Sequence, residues 1–307
     1  MKRSYLMIIA TIFLTGMSFL SSCKKDSTDN TDLATLNQEQ ASDSEDVTAS
    51  TDAMDDEMDN IVSASSLKSA SILGLPCNVT ADSALLANKK CTITFNGDNC
   101  NGTRTRTGKI EITLTNGTKW SDVGAVLTVK YTDVKIVRKA TQRYIILNGT
   151  KTHTNVSGGL IKNLGVPGTP TIIVRKTESG NMNVTFTNGT SRNWNIARTR
   201  SFTKNGNYFT ITITGFGAAD GKTNLETWGT NRRNTAFYTV ISSPIVMSQE
   251  CDYNPSSGEK IHYVGNRIVD TTLGTDSNGN PVTSGCADYY TISWTGIGGT
   301  KTTILPY

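Results

Sequence analysis

The sequence predicts an all-β fold: antiparallel hairpins and meanders forming a sandwich or a strongly curled sheet, preceded by a disordered acidic N-terminal segment with at most one short helix. Three observations predict it. From about Ile72 onward, apolar residues recur at every second position, as in Ile110, Ile112 and Leu114 or Met182, Val184 and Phe186. That alternation marks strands with one buried face. Seven Asn-Gly pairs punctuate the chain, at Asn96, Asn101, Asn116, Asn148, Asn188, Asn205 and Asn278, each followed by Gly. Asn-Gly supplies the positive φ angles of tight hairpin turns. Finally, Asp26–Asn60 holds 12 acids and no Lys or Arg, a composition too polar to fold on its own.

At the N-terminus, Met1-Lys2-Arg3 is a short basic start. Leu6–Leu20 is an apolar run of 15 residues diluted by Thr11, Thr15, Gly16 and Ser18. It is shorter than the ~20 residues a membrane span needs and has the length of a signal-peptide core. It ends in Leu20-Ser21-Ser22-Cys23, which resembles the lipobox of bacterial lipoproteins. The resemblance implies that residues 1–22 are a lipoprotein signal peptide and that Cys23 becomes a lipidated N-terminus carrying diacylglycerol and an N-acyl chain of the palmitate kind. Two or more acyl chains hold a protein firmly to a bilayer. No Asp directly follows the Cys, which in enteric-type sorting would favour retention in the inner membrane. The Lys25-Asp26 step resembles the Lys-plus-acid export signal of surface lipoproteins in Bacteroidota. The expected location is the outer membrane, lipid-anchored, with a lean toward the cell surface.

Residues 23–70 read as a lipidated acidic flexible tether, with a root-mean-square reach of about 40 Å. One piece of it is amphipathic. Met54, Met58, Ile61 and Val62 fall at i, i+4, i+7 and i+8 with acids between, so a short helix is expected at 52–62, marginal until docked.

Residues 71–307 form the antiparallel β domain, with 12 to 15 strands. The Gly- and Pro-rich stretch 158–170 either divides it into two lobes or is a long surface loop; one continuous domain is preferred. Residues 61–307 hold 26 basic and 14 acidic residues, a net of +12. A basic domain behind an acidic arm suits solubility and arm-to-domain attraction, or an anionic envelope component as partner. No nucleic-acid motif is present, and nucleic acid is not expected as a partner.

Five cysteines follow Cys23. Cys77 and Cys100 are symmetric about Asn88-Lys89, so a hairpin centred there would set them opposite each other and bridge them. Cys251 and Cys286 begin strands that flank a returning strand at 259–271, which places both at one end of the sheet for a second bridge. Cys91 is left over and reads as a buried thiol. There is no Cys-x-x-Cys or His pair for zinc, so neither metal nor cofactor is expected. Asp276-Ser-Asn-Gly-Asn280 lacks the Gly and Glu of a calcium loop and reads as a hairpin turn.

Two Arg/Thr alternations stand out. Arg104 and Arg106 share one face of a strand, as do Arg198 and Arg200. Either they form an anion-binding strip or, the preferred reading, they are solvated charges that protect an edge. Trp120, Trp194 and Trp228 are candidates for stacking on sugar rings, with Trp294 a fourth tryptophan. Most are expected in the core. His153 and His262 read as strand residues. No nucleophile elbow, zinc helix or phosphate loop occurs.

The run Cys91–Ile110 (CTITFNGDNCNGTRTRTGKI) resembles a recurrent element of uncharacterised Bacteroidota lipoproteins, a strand, a Gly/Cys turn and an Arg-x-Gly-Lys-Ile strand following an acidic stretch like 52–62. The likeness continues through Gly149–Thr152, Arg198-Thr-Arg200 and a late Cys pair. Cys91 and the 158–170 loop depart from it. It implies an all-β lipoprotein and carries over no functional residue. The expected function is therefore an outer-membrane-anchored lipoprotein with a non-enzymatic structural or interaction β domain. The alternative is a surface glycan binder, and an envelope-polymer hydrolase ranks third.

Overall fold

The computed structural model describes residues 27–64, 75–82, 89–251, 253–296 and 299–307. The export segment 1–22, Cys23 and residues 65–70 lie outside the described residues. One helix, α1 (Ser27–Ala64), is followed by strands β1 (Val79–Asp82), β2 (Lys90–Asp98), β3 (Arg104–Asn116), β4 (Ala125–Arg138), β5 (Tyr144–Asn155), β6 (Ile172–Phe186) and β7 (Ser191–Asn205). Then come β8 (Tyr208–Gly215), β9 (Gly217–Ala219), β10 (Lys222–Thr230), β11 (Ala236–Ser248), β12 (Pro255–Val264), β13 (Arg267–Thr275), β14 (Tyr289–Gly296) and β15 (Gly299–Pro306). All belong to one antiparallel sheet in which neighbours in sequence are mostly neighbours in space. The 158–170 stretch is a loop between β5 and β6, which pair directly from Ile145↔Phe186 to Asn155↔Arg175.

The meander is broken once. β8 and β10 share a lane between β7 and β11. β8 pairs with β7 at Arg198↔Gly215 and with β11 at Ile245↔Ile213; β10 pairs with β7 at Trp228↔Asn195 and with β11 at Trp228↔Tyr238. Between them β9 and the start of β10 form a small hairpin. The crossing needs glycine. A Cβ on Gly215 would sit 2.2 Å from the Asn224 carbonyl oxygen, and one on Gly217 would sit 2.6 Å from the Trp228 ring.

Two of the Asn-Gly pairs are not turns. Gly97 lies inside β2 with φ 142°, and Gly149 inside β5 with φ 130°. At Gly149 the pairing with β6 shifts register, Asn148 facing Asn183 and Thr150 facing Gly180, so β6 carries one extra residue there, a bulge opposite Gly149 that bends the sheet. The two disulfides join the expected cysteines, Cys77 to Cys100 and Cys251 to Cys286, with Cα separations of 5.0 and 5.2 Å. The hairpin register differs from expectation. Val79 faces Phe95, so the first bridge links residues just outside β1 and β2 rather than an opposed pair. Cys91 is free and buried.

The largest departure is α1. A flexible arm with one helix at 52–62 was expected; the helix runs 38 residues and lies against the concave face of the sheet. Val47, Met54, Met58, Ile61 and Val62 enter an apolar cluster with Ile93, Ile110, Leu127, Val129 and Leu147. Ala41 enters a second cluster with Ile213, Ile241, Val269 and Ile292. Removing such side chains from water is worth about 1.5–3 kcal/mol each. Asn37, Asp43, Thr51, Asp55 and Asp59 are buried as well. Burial on so many sides means that the one continuous sheet curls around the helix. The helix would not be stable alone: it lacks any basic residue in its last turn, where the dipole favours one, and carries Asp55 and Asp59 near that end. Its order comes from the apolar clusters it enters and from the cations that face its acids.

Candidate functional site

The concave face was built from strands whose apolar stripe turns cationic partway along. On β5, Ile145 and Leu147 share a face with Lys151 and His153. On β7, Trp194 and Ile196 share one with Arg192, Arg198 and Arg200. All are buried. Lys151, His153 and Arg198 meet carboxylates of the acidic helix, and Arg192 lies over the Phe237 ring, 3.9 Å from its centre. The Lys151 ammonium donates to Asp55 at 3.1 Å, and Tyr131 donates to the same oxygen at 3.3 Å. Arg198 pairs with Asp52, lies 3.5 Å from Asp55, and 3.6 Å from Glu226 on β10. Lys260 on β12 donates to Glu45 at 2.7 Å and lies 3.4 Å from Glu226. Trp120 donates its indole N–H to Asp59 at 2.7 Å, and Arg175 lies 3.5 Å from the same carboxylate. Arg106 pairs with Glu57 and donates to the Cys77 carbonyl at 3.1 Å.

Burial alone would raise the Asp55 carboxyl, yet the charges of Lys151, Arg200 and Arg198 hold it well below the usual carboxylate range. Burial pushes both His153 and His262 down to about 3, so both imidazoles are neutral. His262 bridges Thr239 at 3.0 Å and Thr271 at 3.1 Å. These groups form a structural interior.

This corrects the arginine reading. Arg106, Arg198 and Arg200 are neither solvated edge protection nor a surface strip; they are 3%, 0% and 4% exposed and face the helix. Arg104 is half-buried at the start of β3, where Arg138 crowds it and Asp46 and Glu57 offset the crowding. Two aromatics also leave the list of candidate stacking surfaces. Trp120 and Trp194 are 5% and 1% exposed, because their rings fill the space between helix and sheet. Trp294 is buried in the second apolar cluster.

Trp228 is different. It is half-buried on the convex face, at the fork where β10 replaces β8. With Phe216 it walls an open groove of about 590 Å³ whose other sides are Thr150 and Thr152 of β5 and Glu178–Gly180 of β6. Ala197 and Gly217 lie in its floor. The Lys176 ammonium sits 4.7 Å from the centre of the Phe216 ring. The groove thus offers an aromatic wall, hydroxyls, a carboxylate and an amine. A second cleft, of about 190 Å³, lies at the end of the sheet where Arg138, Arg143 and Arg232 approach Asp46 of the helix. Each cleft has a single carboxylate, Glu178 or Asp46. Among the described residues no cluster of His, Cys, Asp and Glu is arranged to hold a metal ion.

No protein-family model, curated protein or solved structure matches this chain. The reading therefore rests on its own geometry. Of the residues singled out in the sequence, the groove contains Trp228 alone. Phe216, Glu178, Thr150 and Thr152 were missed, since only the fork brings them together. One signal was visible: Phe216 and Trp228 flank a Gly-rich hairpin between two strands.

Proposed function

We propose that the chain is a lipid-anchored outer-membrane lipoprotein whose β domain binds a partner rather than catalysing a reaction, with the convex groove at Trp228 as its ligand site. The observation that carries this reading is the contrast between the two faces. The concave side, where a carrier or an enzyme of this curvature would keep its cavity, holds the chain's own helix. The convex groove is open and lined by an aromatic pair. Both histidines are buried and neutral, and Cys91 is buried. A glycosidase would need two carboxylates flanking one bond, and neither cleft presents a pair. The anchor reading rests on Leu20–Cys23. Mass spectrometry of membrane-extracted protein is expected to find Cys23 as the N-terminus with acyl chains attached; an unmodified Cys23, or an uncleaved signal, would remove it.

One observation favours a glycan as the ligand. A sugar ring presents an apolar C–H face and a rim of hydroxyls, which match Trp228 and Phe216 on one side and Glu178, Thr150 and Thr152 on the other. A glycan array is expected to show binding that Trp228→Ala abolishes. Binding that survives this change would place the site elsewhere.

A further inference from the structure

The strands of this sheet end in two rims, and the rims differ in charge. One rim carries the turns 98–104, 138–144, 186–192, 230–236, 264–267 and 296–299. In sequence these hold eight Lys and Arg against a single acid, Asp98. The opposite rim carries 82–90, 116–125, 155–172, 205–208, 248–255 and 275–289. These hold four Lys, no Arg and six acids.

The basic rim is also where the helix leaves the sheet. Asn37 accepts a hydrogen bond from Arg267 at 2.9 Å, Glu39 pairs with Arg233 at 3.0 Å, and Asp43 accepts from Arg232 at 2.7 Å. Further along, Asp59 meets Trp120, close to the opposite rim. Ser27 to Leu36 therefore extends beyond the basic rim by about 15 Å of helix, at about 1.5 Å per residue. Bond geometry limits the four residue steps from Ser27 to Cys23 to about 14 Å. The proposed lipid attachment lies on this side of the domain and close to it. The long tether expected from the sequence, with its reach of tens of ångströms, does not separate the two.

We infer that the basic rim docks on the anionic phosphate headgroups of the leaflet that holds the Cys23 lipid. The inference rests on the anchor reading above. Arg143 and Arg233 are 53% and 52% exposed, and Lys139 is 43% exposed. The proposed phosphate seat is the cleft lined by Arg138, Arg143 and Arg232 with Thr187 and Asn188, where a headgroup competes with Asp46, held by Arg138 at 2.8 Å, and with Asp43, held by Arg232 at 2.7 Å. Arg143 stands 3.4 Å from Asp46 and 4.0 Å from Asp43, beyond a close bidentate pair, so its guanidinium fork can turn to a phosphate. Glu39, Asp43 and Asp46 of the helix offset part of the rim, and Lys24, Lys25, Asp26, Asp29 and Asp32 nearly cancel one another. The local sum stays at +3. In this pose the acidic rim points away from the membrane, and the Trp228 groove faces sideways, clear of the lipid.

The test uses the mature chain with Cys23→Ser, so that the rim acts without the lipid. Co-sedimentation with vesicles of phosphatidylethanolamine and phosphatidylglycerol is expected to show binding that falls with added salt, and little binding to phosphatidylcholine vesicles. Lys139→Gln with Arg143→Gln and Arg233→Gln is expected to lower partitioning by about tenfold or more. Lys89→Gln with Lys119→Gln and Lys162→Gln, on the opposite rim, is expected to change it less than about twofold. All six positions are exposed, and thermal unfolding checks that both variants stay folded. No binding to anionic vesicles, or equal losses from the two rims, would overturn the docking surface. Vesicle binding with an unacylated Cys23 in the native protein would instead overturn the anchor.

Discussion

The two faces of the sheet use similar residue types to opposite ends. On the concave face Arg106, Lys151, Arg198 and Lys260 are buried and matched to carboxylates of one helix. On the convex face the polar residues Thr150, Thr152 and Glu178 stand beside Trp228 and Phe216 around an open groove. A cluster of charges inside a protein is thus weak grounds for a binding site when every charge has a partner from the same chain. A sparser set around an unfilled groove is better grounds. The difference follows from cost: an unpaired buried charge is expensive, so interior charges come matched.

Breaking the interior should have the largest effect. Asp55→Ala leaves Lys151 buried with no carboxylate at hydrogen-bond distance, and is expected to destabilise the fold by about 3–5 kcal/mol in denaturant unfolding. Asp55→Leu combined with Lys151→Met removes both charges and should recover much of that loss. If the single change costs less than about 1 kcal/mol, the helix is not seated as described.

Acid comes next. His153 and His262 titrate at about 3 in the fold and near 6.5 when unfolded. Only the unfolded chain gains these protons between the two values. Their contribution is therefore complete above about pH 6.5 and is lost as pH falls toward 3. Between pH 7 and 5 each should cost about 2 kcal/mol. Asp43, Glu45 and Glu57, raised by burial, take up protons earlier in the fold than in the unfolded chain and offset part of this at the acidic end. His262→Gln should remove about half of the pH dependence above pH 5; an unchanged slope would contradict a neutral, buried His262.

The convex face should respond least in stability and most in binding. Trp228→Ala removes a half-buried ring on the face away from the helix, and should cost under about 2 kcal/mol in stability while abolishing ligand capture. A collapse of the fold would mean that Trp228 is a core residue and that the groove is incidental.

What the sequence disclosed follows the same division. Strand periodicity was legible because Ile110, Ile112 and Leu114, or Tyr290, Ile292 and Trp294, alternate cleanly with polar neighbours. Both cysteine pairs were legible, although the hairpin symmetry that suggested Cys77–Cys100 is not the observed register, in which Val79 faces Phe95. The helix was not, beyond Met54–Val62. Its first half has few apolar residues, and its partners, such as Lys260 and Arg232, lie some 190 to 215 positions away in sequence. The interior fate of Arg198 and Arg200 was hidden for the same reason: a charged residue on a strand reads as solvated until its acid is found. The groove was illegible because the fork at Gly215–Gly217 depends on a lane shared by β8 and β10.

The central claim is that the concave face is filled by the chain's own helix, leaving the convex face and the rims for partners. Amide hydrogen exchange across residues 37–62 of the mature protein tests it most directly. The account predicts protection comparable to that of β5 and β7, lost only on global unfolding. Exchange of that segment at the rate of an unstructured acidic peptide, with the strands still protected, would contradict it.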